Sequence, residues 1–274
     1  MSDNVSELLE ISSSGPPPLK IRTIPQGEHS IEALIHPKEQ LYFGISLVVS
    51  ILIYVLLVVS IVGVVYILLG AAIGLIVHGY FIGHIRGNAI RVSEKQFQEV
   101  YRIASELSLQ MGLNPVPAIY ILQAGGVLNA FATKFLGRNF IVIYSDVLEL
   151  AYEKGEAELA FVLSHELAHI KRKHLTWRWL LYPSNLIPFL SQAYSRSCEY
   201  TCDRFGAHFR PNGAIGGLLV LSAGKKLFRN VNAQEFSNQT YTETGFWVWF
   251  SEILSSHPHL MHRITAIGGT AVTK

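Results

Sequence analysis

The chain has 274 residues, of which 50% are hydrophobic and only 15% are charged, and its mean hydropathy is +0.31. This length suits one or two domains with a buried core, while the composition excludes a disordered chain and argues against a wholly soluble one. The formal net charge of +2 is too small to indicate nucleic-acid binding, and two cysteines exclude a disulfide scaffold.

Residues 1–40 form a polar N-terminal segment that we expect to be flexible. The run Ser12–Pro18 favours polyproline II or irregular chain over helix. The first apolar run begins too late for a secretory signal peptide, and no basic residue precedes Lys20.

An uncharged stretch of 43 residues, Leu41–Gly83, follows. As one helix it would be roughly 64 Å long, about twice the ~30 Å hydrocarbon thickness of a bilayer. We therefore predict a transmembrane hairpin of two helices over residues 41–86, with a turn near residues 60–63. Glycines spaced i, i+4 on the second helix would let the two helices approach closely. The alternative is a buried hairpin in a soluble protein.

Basic residues flank this stretch on both sides, with Lys38 before it and Arg86 and Arg91 after it. The positive-inside rule therefore predicts that both ends of the hairpin are cytoplasmic. The domain that follows the hairpin would then lie on the cytoplasmic side.

Residues 87–274 have the pattern of a mostly helical α+β domain with a small β-sheet. A turn at residues 125–126 and a further strand separate two predicted strands, and Asp146 is a candidate cap for a short helix. The predicted helices are Val92–Met111, Glu156–Arg172 and Arg196–His208, and the two strands are Ala118–Leu122 and Asn139–Tyr144.

The predicted helix at 156–172 contains the pattern H-E-x-x-H, formed by His165, Glu166 and His169. Residues i and i+4 share one face of a helix, so both imidazoles can bind the same Zn²⁺ ion. Glu166 is turned by about 100° from this face, where its carboxylate can accept a proton from the attacking water. Chance would give only about 0.03 such matches in this composition. A solvated helix face is the alternative.

A zinc peptidase needs a third protein ligand and an open fourth position. The metzincin extension would require Gly at 172 and His at 175, where the chain has Arg172 and Leu175. Glu199 lies 30 residues after His169 and has Asp203 at i+4. Glu199 can bind the ion while Asp203 accepts a hydrogen bond from the outer nitrogen of a ligand histidine. An exposed acidic pair is the alternative.

Four motifs, in this order, resemble the membrane metallopeptidases of the HtpX and CAAX-prenyl endopeptidase type, which are gluzincins. The resemblance covers roughly residues 90–270. It implies a zincin-type domain over 87–274, one Zn²⁺ per chain and a bacterial inner-membrane location. The motifs are Asn129–Ala132, His165–His169, Ser195–Ala207, and His257-Pro258 followed by Arg263.

The resemblance also implies roles for residues outside the metal helix. Asn129, Ala130, Phe131 and Ala132 would form an edge strand that binds a polypeptide substrate as an added strand, although an ordinary edge strand is the alternative. His257 would donate to the developing oxyanion.

Two arginines have expected supporting roles. Arg263 would position the His257 loop or pair with an acid, and Arg204 would support Glu199 or Asp203 by an ion pair. Cys198 and Cys202 flank Glu199; we interpret them as packing residues, with a cysteine zinc ligand as the alternative.

The chain departs from HtpX-like members between the metal helix and Glu199, where those members carry further membrane spans. Residues 175–194 contain Arg178, Pro183 and Pro188 and make a poor spanning helix. We interpret them as an interfacial or cleft-lining segment, with its aromatic side chains at headgroup depth; core packing is the alternative. The cluster Phe246–Phe250 predicts a buried or membrane-facing helix.

Together these patterns predict a membrane-anchored zinc endopeptidase that hydrolyses extended polypeptide substrates. By resemblance, the substrates would be misfolded or membrane-associated proteins. A catalytically silent zinc-binding membrane scaffold is the alternative from another class, and a soluble zinc peptidase with a buried hairpin is the third. The sequence specifies neither cleavage preference nor oligomeric state.

Overall fold

The computed structural model describes residues 28–154 and 156–268. Most of the polar segment predicted for residues 1–40 lies outside these residues. Where it is described it is largely helical: α1 spans Glu28–Ala33, and the first apolar helix begins at Pro37, before the expected boundary at residue 41. His36 caps that helix by accepting a hydrogen bond from the N–H of Lys38 (3.3 Å), and Pro37 suits a first helical position.

Two long apolar helices, α2 (Pro37–Val59) and α3 (Ile61–Asn88), pack against each other. They are separated at Ser60, which is extended (φ −99°, ψ 126°) and lies at the predicted turn. Gly63 is needed there because an added Cβ would overlap the backbone of Leu57. Both helices are long and apolar enough to cross a membrane, and at most 11% of the most apolar stretch of either is buried. This exposure argues against the buried-hairpin alternative.

Two glycines of α3, Gly74 and Gly79, face the following domain. A Cβ added to Gly74 would lie 3.4 Å from Trp179, and one added to Gly79 would lie 3.2 Å from Phe135. The glycines paired with them at i, i+4 spacing are Gly70 and Gly83, and a Cβ added to either would have no neighbour within 4 Å. The expectation that these glycines bring the two membrane helices together is therefore wrong, because they make room for aromatic side chains of the next domain.

A four-stranded sheet has the order β1-β2-β4-β3, in which β2 and β4 are parallel and both edge strands are antiparallel to their neighbours. Ile121 and Ile143 point to a core shared with the metal helix. Tyr120 and Val142 point to the opposite face, where they meet the C-terminal part of α3. The strands are β1 (Ile90–Arg91), β2 (Ala118–Leu122), β3 (Ala130–Phe135) and β4 (Arg138–Tyr144).

The remaining structure is mainly helical, which confirms the predicted α+β class. Two short 3₁₀ segments, Tyr182–Leu186 and Phe228–Asn230, interrupt it. The helices are α4 (Gln98–Gln110), α5 (Ser145–Lys154), α6 (Ala157–Lys171), α7 (His174–Leu180), α8 (Leu190–Phe209), α9 (Pro211–Leu227), α10 (Ala233–Thr242), α11 (Phe246–Leu254) and α12 (Leu260–Gly268).

Two predicted boundaries are wrong. The helix expected from Val92 begins only at Gln98, because the N–H of Val92 bonds to the carbonyl of Ile119 (2.9 Å) and extends the sheet. The left-handed conformation of Phe97 (φ 57°) then separates that extended segment from α4. The helix expected over 196–208 begins at Leu190, just after the second proline of the segment 175–194.

The aromatic helix α11 has no buried residue. Phe246 is 60% exposed and Trp247 is 76% exposed. The structure therefore excludes the buried alternative for Phe246–Phe250 and leaves the membrane-facing one as a prediction.

Candidate active site

The metal helix α6 packs against α8, and this contact brings three of the predicted residues together. Nε2 of His165 lies 3.3 Å from Nε2 of His169. Oε2 of Glu199 lies 3.3 Å from Nε2 of His165, and Oε1 of Glu199 lies 3.4 Å from Nε2 of His169. The alternative of an exposed acidic pair does not hold, because Glu199 is 4% exposed and Asp203 is fully buried.

These spacings can be compared with a zinc site. Zn²⁺ binds imidazole nitrogen and carboxylate oxygen at about 2.0–2.2 Å, so neighbouring ligand atoms of a tetrahedral site lie roughly 3.3–3.6 Å apart. The observed separations of 3.3–3.4 Å fall in this range. The donor set of two imidazoles and one carboxylate therefore fits a single Zn²⁺ ion.

A buried arm supports the first histidine from behind. Nδ1 of His165 lies 3.0 Å from Oδ1 of Asp203. Arg263 donates two hydrogen bonds to Asp203, each of 2.7 Å, and lies 3.4 Å from Glu199. Arg263 thus pairs with an acid, which is one of the two roles expected for it. Nη1 of Arg204 lies 3.5 Å from the carbonyl of Ile35, and the expected support of Glu199 or Asp203 by Arg204 stays a prediction.

The electrostatics favour a positive charge between these acids. Burial by itself would lower the pKa of His165, but the neighbouring carboxylates of Asp203 and Glu199 outweigh burial and raise the pKa to about 10. Burial would raise the pKa of Glu199, yet its imidazole partners and Arg263 hold it well below the usual range. A proton or a metal cation can satisfy this demand for positive charge.

Glu166 lies beside this centre and does not take part in the ligand cluster. It is 7% exposed, and the backbone N–H of Ala132 lies close to its carboxylate. Burial is the main cause that raises the pKa of Glu166. A carboxylate with a raised pKa is a better proton acceptor, as general-base chemistry requires.

The strand β3, which includes Ala130, Phe131 and Ala132, forms an edge of the sheet directly beside the metal helix. The N–H of Ala132 reaches Glu166, and the carbonyl of Lys134 lies 3.1 Å from Nε2 of His78. Alternate residues of β3 therefore present backbone groups away from β4. Asn129 precedes the strand, and its carbonyl still accepts a hydrogen bond from Tyr144 (3.0 Å).

A cleft of about 900 Å³ opens over the centre. Its lining includes the edge strand, the three ligand candidates and Glu166. Arg178, Tyr182 and Asn185 also line it, so the segment 175–194 has the cleft-lining position that we interpreted for it. His257 lies at the rim, with its side chain 60% exposed and its Nε2 3.4 Å from Oε1 of Glu199.

Two residues of this region were missed by the sequence reasoning. His174 was not among the candidate residues, and Glu39 falls within residues 1–40, which we expected to be a flexible polar segment. Among the described residues, possible metal ligands form three groups, and within each group the ligand atoms lie within 4.8 Å of one another. The groups are His165, His169 and Cys202; Glu39, His174 and Cys198; and Glu252, His259 and His262. Both cysteines are buried, and burial raises the pKa of each thiol, as expected for packing residues.

The fold and the site define the class of this protein. An H-E-x-x-H helix, a carboxylate from a later helix and an adjoining edge strand are the parts of a metallopeptidase.

Comparison with known proteins identifies the family. The pattern of Peptidase family M48 matches residues 94–183 and 176–271, and the chain belongs to this family. It is similar to the plastoglobule-localized metallopeptidase 48 of Arabidopsis thaliana, with 29% identity over 43% of this chain and 38% of that protein. It is also similar to the protease HtpX homologs of Campylobacter curvus (38% identity over 31% of this chain and 29% of that protein) and Pyrococcus furiosus (25% over 65% and 75%).

The chain thus spans 38% and 29% of the first two of these relatives. The family and the two apolar helices indicate a membrane protein of the metallopeptidase class.

Proposed function

We propose that this protein is a membrane-anchored zinc endopeptidase, in which His165, His169 and Glu199 hold the metal. The observation that carries the proposal is the convergence of these three side chains at tetrahedral spacings, next to a buried Glu166 that is not a ligand. A purely structural zinc site would need no such carboxylate, so this arrangement favours the enzyme over a silent scaffold.

The residues divide the reaction between them. When bound, Zn²⁺ would act as a Lewis acid on the scissile carbonyl and make water easier to deprotonate. Glu166 accepts a proton from the attacking water and passes it to the leaving amine. His257, at the rim, donates to the carbonyl oxygen as negative charge develops on it. Asp203 and Arg263 orient His165, so its inner nitrogen faces the ligand cluster.

The substrate would bind as an extended strand. Backbone groups around Ala130 and Ala132 face away from the sheet and can pair with a peptide placed in the cleft. Lys134 marks one end of this free edge, because His78 of the second membrane helix is already at its carbonyl. Misfolded or membrane-associated proteins are the proposed substrates, since their chains supply unpaired strands.

The membrane arrangement is also proposed. We assign residues 41–86 to the hairpin and 87–274 to the catalytic domain, which faces the cytoplasm from a bacterial inner membrane. The basic flanks of the hairpin support this orientation. The exposed Trp247 and its aromatic neighbours on α11 support contact with lipid headgroups. Retention in the membrane pellet after a carbonate wash, and release by detergent, would test the anchor.

The decisive experiment compares the wild type with Glu166→Gln in detergent, measuring casein cleavage and bound zinc in both. We expect one zinc per chain in each protein and a cleavage rate lowered about 100-fold or more in the variant. Glu235→Gln, which changes an exposed glutamate on α10, is the matched control and should cleave normally. Equal cleavage by Glu166→Gln would remove this residue from the mechanism. A zinc-loaded wild type without cleavage of any tested peptide would favour the scaffold.

A further inference from the structure

The second ligand histidine has a buried arm of its own, and this arm leads into the first membrane helix. Nδ1 of His169 lies 3.2 Å from Nδ1 of His174. Nε2 of His174 lies 3.3 Å from Oε1 of Glu39, a residue of α2. Arg172 donates to the same oxygen through Nη2 (2.8 Å) and Nε (3.2 Å).

This arm parallels the one behind His165, where Asp203 is held by Arg263. A carboxylate thus lies behind each ligand histidine, next to His165 in one arm and beyond His174 in the other, and an arginine compensates its negative charge. The second arm is as enclosed as the first, because Glu39 is 3% exposed and His174 is 6% exposed. Burying a carboxylate this far from water costs free energy unless the carboxylate is paired. The pairing therefore constrains the positions of Glu39 and of the side chains that contact it.

The hydrogen-bond direction along the arm is determined by elementary chemistry. His169 faces the ligand cluster with Nε2, so its Nδ1 carries the proton and donates to Nδ1 of His174. A neutral His174 then has its own proton on Nε2, which it donates to Glu39. The Sγ of Cys202 also faces Nδ1 of His174 at 3.8 Å, as a weak neighbour.

We propose that Glu39 is a positioning residue for the metal centre, which orients His169 through His174 and so makes the first apolar helix, α2, part of the active site. This inference rests on the proposed function, because His169 matters here as a zinc ligand. Glu39 lies outside residues 94–271, which the family pattern matches, so the arm joins the peptidase domain to a separate segment of the chain.

A second metal site is the competing interpretation, since Glu39, His174 and Cys198 also lie within 4.8 Å of one another. The guanidinium of Arg172 argues against it. Its Nη2 lies 2.8 Å from Oε1 of Glu39, and this fixed positive charge would repel a cation bound at the same carboxylate.

The test measures zinc affinity by competition with a chromophoric chelator, using full-length protein in detergent. Outer partners of ligand histidines typically change metal affinity 10–100-fold. We expect Glu39→Ala to weaken zinc binding by this factor, and Glu39→Gln, which keeps an acceptor oxygen, to restore most of it. Ser46→Ala is the matched control, because Ser46 is a buried polar residue of the same helix and its Oγ has no hydrogen-bond partner among the described residues.

Two further readouts separate positioning from general destabilisation. Co²⁺-loaded Glu39→Ala should show an altered visible absorption spectrum, whereas Co²⁺-loaded Ser46→Ala should match the wild type. In double-mutant cycles, Glu39→Ala and His174→Ala should be strongly non-additive in zinc affinity, because both act through His169. Glu39→Ala and Asp203→Asn should be closer to additive, because they act on different ligands.

Zinc affinity within twofold of the wild type for both Glu39 variants, with an unchanged cobalt spectrum, would overturn the proposal. Equal losses in Glu39→Ala and Glu39→Gln with additive effects of His174→Ala would overturn it too. If Glu39→Ala does not fold, the zinc affinity and the cobalt spectrum of His174→Ala decide, and values equal to those of the wild type would overturn the proposal. Zinc bound by the wild type, weakened by Glu39→Ala, but without peptide cleavage would sustain this arm and refute the peptidase.

Discussion

Replacing Arg263 with methionine removes the charge that holds Asp203 in the interior. Asp203 is fully buried and receives two hydrogen bonds of 2.7 Å from the guanidinium, while Arg263 itself is 5% exposed. Removing one partner of such a buried pair costs about 3–5 kcal/mol, because an uncompensated charge remains. Arg263→Met should lower the free energy of unfolding by this amount.

The assay is thermal unfolding in detergent, followed by circular dichroism in the presence of a chelator so that metal loss does not contribute. For a domain of this size, 1 kcal/mol corresponds to roughly 2–4 °C, so Tm should fall by about 6–20 °C. The double variant Arg263→Met, Asp203→Asn should recover part of the loss, since it removes the unpaired charge. A Tm within 2 °C of the wild type for the single variant would refute this reasoning.

Three further predictions concern other parts of the structure. Ala132→Pro should keep the fold and the bound zinc, because an edge strand tolerates proline, but it should lower the rate of cleavage, because Glu166 loses the neighbouring backbone N–H. The rate of peptide cleavage and the zinc content, measured on the same sample, test this prediction. Gly213→Ala should abolish stable folding, since the added Cβ overlaps the backbone of Ala157 at the contact of α9 with α6; soluble yield in detergent and melting are the readouts. The pKa of Asp203 is lowered in the folded state because Arg263 and His165 outweigh its burial, so its stabilising contribution is present above the unfolded pKa of roughly 4 and is lost as pH falls through the lower folded pKa. Unfolding at pH 3 and pH 5 should show less dependence on pH in Asp203→Asn than in the wild type.

The parts of the site that follow local spacing could be predicted from the sequence. The i, i+4 rule places His165 and His169 on one helix face without any knowledge of the fold, and the same rule relates Glu199 to Asp203. The strands Ala118–Leu122 and Asn139–Tyr144 were predictable because alternating apolar side chains pack on both faces of the sheet.

Contacts between distant segments could not be predicted in this way. Glu39 of α2 lies 135 residues from His174 of α7, and only tertiary packing brings the two side chains together. The glycines of α3 likewise look like a membrane-helix contact, yet their neighbours are Trp179 and Phe135, from a domain whose docking no local pattern encodes. The start of α4 was misplaced because Val92 gains a strand hydrogen bond that outweighs its helical spacing.

X-ray absorption at the zinc edge of the purified protein would identify the ligands of the metal. We expect a nearest shell of nitrogen and oxygen only, at about 2.0–2.2 Å, with scattering from two imidazoles and the loss of one oxygen ligand in Glu199→Ala. A sulfur neighbour at about 2.3 Å would show that Cys202, and not Glu199, is the third ligand.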